Sequence, residues 1–268
     1  MKKLFLIAAF TLGLGVSTLS AAVLPEPDRS GNAFADDDLK DEAAARALVD
    51  EVIANHGGMD LWTASSAVRF THISHMPQMS SQLDWMVGHE HVEHSTLRAY
   101  ADHPLWDSRI AKDENGAWGV NWLFPNSPKG MSTIHYFMAF MPWLSQDEDV
   151  RFGELGEDML PGDMQTNYIT VPFWYTDEGG DKVGNTWILY VDPDTRMLGG
   201  FSIDFGSAQA FHRIEGLSET SGLVLPADWI TYAGPQLQII GYHSMVDVDL
   251  NLEFDERRLV MPAGADTY

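Results

Sequence analysis

Apolar and polar positions change their period twice along the chain. DDLKDEAAARALVDEVIANHGG (37–58) puts acids in a first turn and alanines behind them, which predicts a helix. Leu39, Ala43, Ala47 and Val52 lie near one face of it, Leu48 and Ile53 widen that face, and Gly57 or Gly58 supplies a left-handed cap. After Trp62 the period becomes two. AVRFTHISH (67–75), LDWMVGHEHVEH (83–94) and TLRAYADH (96–103) read as strands, and SRIAKDENGAWGVNW (108–122) as a hairpin turning at Asn115-Gly116. STIHYFMAFMPWLSQ (132–146) then has no charge or amide from Tyr136 to Leu144, so a helix apolar on every side is expected, ended by Pro142. DEDVRFGELGEDMLPGD (147–163) reads as a loop, and strands follow from residue 166 to residue 233.

The last strand, YHSMVDVDLNLEFDE (242–256), alternates over its whole length. Val246, Val248, Leu250, Leu252 and Phe254 share one face; Asp247, Asp249, Asn251, Glu253 and Asp255 share the other. One buried face and one wet face is the habit of an antiparallel sheet. The fold class that follows is α+β: a large curved antiparallel sheet, with an N-terminal helix and a short apolar helix against it. A sheet with so many strands curls or closes.

The first residues belong to another signal. MKKLFLIAAFTLGLGVSTLSAAV joins two lysines, an apolar run from Leu4 to Val16 and small residues, the grammar of a secretory signal peptide. The run is too short to span a bilayer. Residues 1–22 are therefore expected to be removed, with cleavage after Ala22 or one or two residues earlier. Residues 23–37 read as a flexible segment, 38–262 as one domain and 263–268 as a C-terminal tail. The chain has no cysteine, so a lipid anchor on the new N-terminus is not expected, and a periplasmic address suits a protein that needs no disulfide. With Lys2 and Lys3 gone, 39 acidic residues face 14 basic ones, a net charge near −25. Such a field repels nucleic acid and anionic membrane surfaces; of protein partners, a basic one would suit it.

Four stretches carry a resemblance. HGGMDLW (His56 to Trp62), YFMAFMPWL (136–144), WILYVDPDTRMLGGFSIDF (187–205) and GLVLPADWITY (222–232) make the chain, from about Leu39 to Leu259, similar to the periplasmic lipoprotein-carrier superfamily (LolA/LolB-like). Within it the chain is closer to exported members without an assigned cargo than to the well-studied carriers. The resemblance implies a half-open β-barrel with helices over its concave face, which makes the apolar helix a lid. No carrier residue maps onto this chain position by position, so none is transferred.

The candidate site follows from that lid. Ile134, Phe137, Met138 and Met141 recur at helical spacing, and adaptable Met side chains suit acyl chains of varied shape. Trp85 and Trp118 are the expected strand contributions to the same lining. The expected function is non-catalytic binding of a hydrophobic small molecule or lipid, or of a lipidated chain, with no cofactor. Against it stands HEHVEH (89–94). His89 and His91 share a strand face with Cα atoms roughly 7 Å apart, and His103 comes from the next strand. A metal-binding protein or hydrolase using that cluster is the first alternative, and a periplasmic sensory or scaffold module is the second. The mature chain lacks G-x-S-x-G, H-E-x-x-H, the P-loop and the dinucleotide fingerprint. DVDLNLEFDE opens like a calcium loop, but Leu252 stands where the turn needs glycine.

Overall fold

The computed structural model describes residues 38–77, 84–123, 128–177, 179–204, 209–234, 236–250 and 252–268. The expected signal segment, residues 23–37 and the side chain of Leu39 lie outside them. Helix α1 (Asp38–Asn55) and the short α2 (Met59–Ala64) lead into strands β1 (Ala67–His75), β2 (Trp85–Glu93), β3 (Ala99–His103), β4 (Ser108–Lys112) and β5 (Ala117–Val120). Helix α3 (Pro128–Leu144) follows. Then come β6 (Val150–Phe152), β7 (Gly156–Asp158), β8 (Tyr168–Thr176), β9 (Lys182–Val191), β10 (Leu198–Asp204), β11 (Gln209–Thr220), β12 (Leu223–Ala233), β13 (Gln238–Asp249) and β14 (Asp266–Thr267).

Among the described residues all fourteen strands form one antiparallel sheet, in the order β14-β5-β4-β3-β2-β1-β13-β12-β11-β10-β9-β8-β6, with β7 added to β8. Two meanders meet where β1 pairs with β13, so the chain's two halves share one continuous sheet. The order does not return on itself, and the sheet is a half-open barrel. Its inner face carries Phe70, Val92, Phe173, Leu189, Phe201 and Leu225, all buried, and α1 and α3 cover that face. Among the described residues no helix is long and apolar enough to cross a membrane.

Helix α1 exists where expected, but its buried stripe is rotated. Ala45, Leu48, Val49, Val52 and Ile53 are buried, while Ala43 and Ala47 face solvent. Alanine carries little pattern information, and the larger Leu, Val and Ile decide the stripe. Pro142 does not end α3. The helix runs on to Leu144 and breaks instead at Phe140 (φ −114°, ψ 16°). Proline has no N–H for the Met138 carbonyl four residues back, and its ring crowds that turn, so the chain gives way just before it. The expected loop at 147–163 contains β6 and β7, two strands too short for a period to show. The last strand ends earlier than its alternation suggests. Asp247 takes a left-handed conformation (φ 54°) at a register shift opposite Arg69 and Thr71. Val246 is then exposed and Leu250 buried. The chain leaves the sheet after residue 249 and crosses the outer face, where Phe254 packs on Tyr100 and β14 pairs with β5.

The HGGMDLW stretch is the corner that joins these parts. The His56 ring donates from Nδ1 to the Val224 carbonyl at 2.5 Å and accepts the Leu198 N–H on Nε2 at 3.0 Å, tying α1 to β12 and β10. The Gly58 carbonyl accepts the Trp143 indole N–H at 3.2 Å, which ties the corner to α3. Gly57 lies so close to the β11–β12 turn that a Cβ would sit 2.3 Å from the Gly222 oxygen; its φ is +107°. Gly58 also has positive φ, +89°, but opens onto free space. Gly57→Ala is expected to lose roughly 2–5 kcal/mol from backbone strain plus overpacking. Gly58→Ala should lose only about 1 kcal/mol, from strain alone. Urea midpoints of the two variants check this, and equal midpoints would show that the close approach is unimportant.

Candidate functional site

Two environments lie under α3, the main core from Tyr136 onward and a second cluster before it, while the break in the helix falls one turn later, at Phe140. The second half of the helix is packed into the main core. Tyr136, Phe140, Met141 and Trp143 are all but inaccessible. Trp62 is their platform, with ring centroids 5.2 Å from Phe140 and 5.7 Å from Trp143. Tyr136 carries the stretch's single side-chain hydroxyl, and that hydroxyl is used. It donates to His94 Nδ1 at 2.9 Å, and His94 Nε2 donates to Ser65 Oγ at 3.1 Å. The Ser65 hydroxyl passes its own hydrogen to the Leu250 carbonyl at 2.7 Å, so His94 Nε2 is the donor to it, and burial, which lowers the His94 pKa to about 4, favours the neutral ring.

The first half of α3 lies over a second cluster. Met131 packs with Ala101 of β3 and Ile110 of β4, joined by the partly covered Trp122 and Ile134. Ile134 and Met138 also reach the main core as partly buried members. Lys112 of β4 donates to Thr133 of α3 at 3.1 Å.

Beside that cluster is a knot of buried polar side chains. His72 of β1, Glu90 of β2, His103 of β3 and His135 of α3 are each at most 5% exposed. His135 Nδ1 lies 2.5 Å from Glu90 Oε1, and its ring stacks on His72 at 3.5 Å. One ligand-type atom from each of His72, Glu90 and His135 falls within 4.8 Å of the others. A hydrogen-bonded chain leads away from them. His72 Nε2 meets His243 Nδ1 at 3.1 Å, His243 Nε2 meets Thr231 Oγ1 at 2.9 Å, and Thr231 Oγ1 meets His212 Nδ1 at 2.9 Å. His72 Nδ1, Glu90 Oε2, His212 Nε2 and both ring nitrogens of His103 have no hydrogen-bond partner among the described residues. The Val87 carbonyl lies near His103 without completing a bond. Burial lowers the pKa of these rings: His103 to about 4, His212 to about 3, His72 and His243 well below the usual 6.5. A polar group buried without a partner is costly, so these five atoms need a reason.

The sequence-predicted residues divide between the two faces of the sheet. Phe137 and Met141 are buried in the main core, with Ile134 and Met138 at its edge. Trp85 is 50% exposed on the outer face, stacked on His75, and so does not lie under α3. Trp118 faces outward as well, where the C-terminal segment covers it and the Leu259 carbonyl accepts its indole N–H at 2.9 Å. His89, His91 and His103 do not converge. His89 bonds Thr71 and His91 bonds Tyr100 on the outer face, whereas His103 points inward. Strand alternation is the reason: odd positions of β2 face out, so the inward member of HEH is Glu90. The sequence reading missed His72, Glu90, His135, His212 and His243. The even-position phase shared by Phe70, His72, Glu90 and Val92 was the available signal for the first two.

The sequence matches no family model and no curated protein. Solved structures do resemble the fold. A DUF1329 family protein from Desulfovibrio piger superposes with a TM-score of 0.53 at 8% identity, over 82% of this chain and 97% of that one. A LolA superfamily protein from Nitrosomonas europaea has a TM-score of 0.49 at 10% identity, over 82% and 97%. At 8% identity the first likeness is one of fold alone.

The neutral histidines have a pH consequence. His56 and His94 each accept a hydrogen bond on one nitrogen, and His212 is fully enclosed. Burial lowers the pKa of all three, to about 4 for His94 and about 3 for His212. Below the unfolded-state value of 6.5 the unfolded chain takes up protons that the native state refuses. Stability therefore falls as pH drops from about 6.5 toward 3–4, by up to roughly 1.4 kcal/mol per pH unit for each ring. Urea melts between pH 8 and 4.5 should show it. Replacing His94 with Gln should flatten the slope by about one proton.

Proposed function

We propose that the protein is exported to the periplasm, where it binds a hydrophobic ligand, a lipid or a lipidated chain, without covalent chemistry. The observation that carries this reading is the division of α3 at Phe140. Lifting the second half would expose the fully buried Phe140 and Trp143, at roughly 1.5–3 kcal/mol per side chain, so that half stays docked. The first half presents Met131, Ile134 and Met138 to a wall of Ala101, Ile110 and Trp122, and two of those three lid side chains are already partly uncovered. The break at Phe140 gives that half a pivot, and its opening would draw Tyr136 away from Trp62 and His94 as well. A ligand entering there exchanges water for apolar contact, worth roughly 0.8 kcal/mol per methylene. Support for export is the lysine-then-apolar N-terminal pattern, and a mature mass beginning near Val23 would accord with it.

An environment-sensitive fatty-acid probe should bind the wild type saturably. Met138→Trp should weaken that binding at least about tenfold by filling the space, with little loss of stability at its partly covered position. Phe140→Ala should do the opposite, losing roughly 3–5 kcal/mol of stability while probe affinity changes little. A wild type that binds no apolar probe would overturn the reading.

A further inference from the structure

We propose that His72, Glu90 and His135 form a site for one divalent first-row transition-metal ion, and that the bound ion clamps the first half of α3 to strands β1 and β2. The three residues come from three elements and meet at a depth where each is at most 5% exposed. Two imidazoles and a carboxylate are a borderline donor set, suited to zinc, cobalt, iron or manganese and not to a soft ion; no thiolate is available, since the chain has no cysteine. A buried ion pair between Glu90 and His135 would by itself account for Oε1 and one ring nitrogen. It leaves Glu90 Oε2 and His72 Nδ1 without partners, and those are the atoms that a cation would take.

The hydrogen-bonded chain behind His72 fits that role. If His72 donates from Nε2 to His243 Nδ1, then His243 must donate from Nε2 to Thr231, whose hydroxyl donates to His212 Nδ1. In that order His72 Nδ1 carries a lone pair, and the outer partners hold its ring in the ligating tautomer. His103 stands next to the three. A Cβ built on Gly88 would lie 3.1 Å from the His103 ring and 3.2 Å from Glu90 Oε1, so the two side chains flank one glycine hydrogen. His103 with its unbonded nitrogens is placed to be a fourth donor. Binding requires the stacked His72 and His135 rings to splay, because imidazole lone pairs lie in the ring plane and parallel rings 3.5 Å apart do not aim at one point.

The test uses the full mature protein without a histidine tag, stripped with a chelator and titrated with Zn2+ and, for its visible spectrum, Co2+. The expected result is about one ion per chain, a visible cobalt absorption of a nitrogen–oxygen site, and a higher melting temperature with metal. His72→Gln and Glu90→Gln should each weaken binding by roughly a hundredfold or more, and Gly88→Ala by about tenfold. The outer-face pair His89→Gln with His91→Gln should keep the full stoichiometry. Circular dichroism shows which variants fold, and the wild-type titration stands without them. A wild type that takes up neither ion at micromolar free metal overturns the site. So does uptake that survives in folded His72→Gln, or that disappears with the outer-face pair. The fatty-acid probe is read separately, so loss of one activity leaves the other standing.

Discussion

A wide antiparallel sheet that curls without closing leaves one broad concave face apolar, and everything else in this protein depends on covering it. The strands cannot do so themselves, because their order runs from β14 to β6 without returning. Helices α1 and α3 cover it instead. That is why α3 is apolar around its whole circumference from Tyr136 to Leu144, which a helix with one wet side would not tolerate. Its second half is fixed by Trp62 and by the His56–Gly58 corner, whose hydrogen bonds tie α1, α3, β10 and β12 at one place.

The polar knot is the exception to this apolar economy. Inner-face positions of β1, β2, β3, β11 and β13 hold histidine or glutamate where leucine or valine would stabilise the barrel as well. Neutral rings make the burial tolerable above pH 6.5, and the Thr231-linked chain satisfies several of their atoms. The atoms left over belong to His72, Glu90, His103 and His212, all on strands of the inner face. Placement couples the two proposals physically: His135 and the lid side chains Ile134 and Met138 ride on the same half-helix. An ion holding His135 would therefore hold closed the segment that a hydrophobic ligand must displace.

The acidic field acts on the outside. Most of the carboxylates lie on outward strand positions, turns and loops, and their few basic partners are used locally, as in Arg98 with Glu93 and Arg258 with Asp102. On the outer face the C-terminal segment crosses β3, β4 and β5 and buries Tyr100 and Trp118. Part of that face is thus protected by chain and part by charge.

The class of fold was legible in the order of residues alone. Period two over so many segments meant an antiparallel sheet, the acid-led helix and the glycine corner were local signals, and nine residues without a charge had to be covered on all sides. The order of residues also placed Ile134, Phe137, Met138 and Met141 on one helix. Only the tertiary structure decided which strand face is concave, because a two-residue period fixes two faces without naming the inner one. For that reason Trp85 and Trp118 were expected inside and lie outside, with His89 and His91 beside them on the outer face, while Glu90 and His72 lie inside. The knot itself joins residues as far apart as His72 and His243, through the β1–β13 pairing. No local pattern carries that register, since a bulge at Asp247 shifts it, and so the grouping of five histidines exists only in the folded chain.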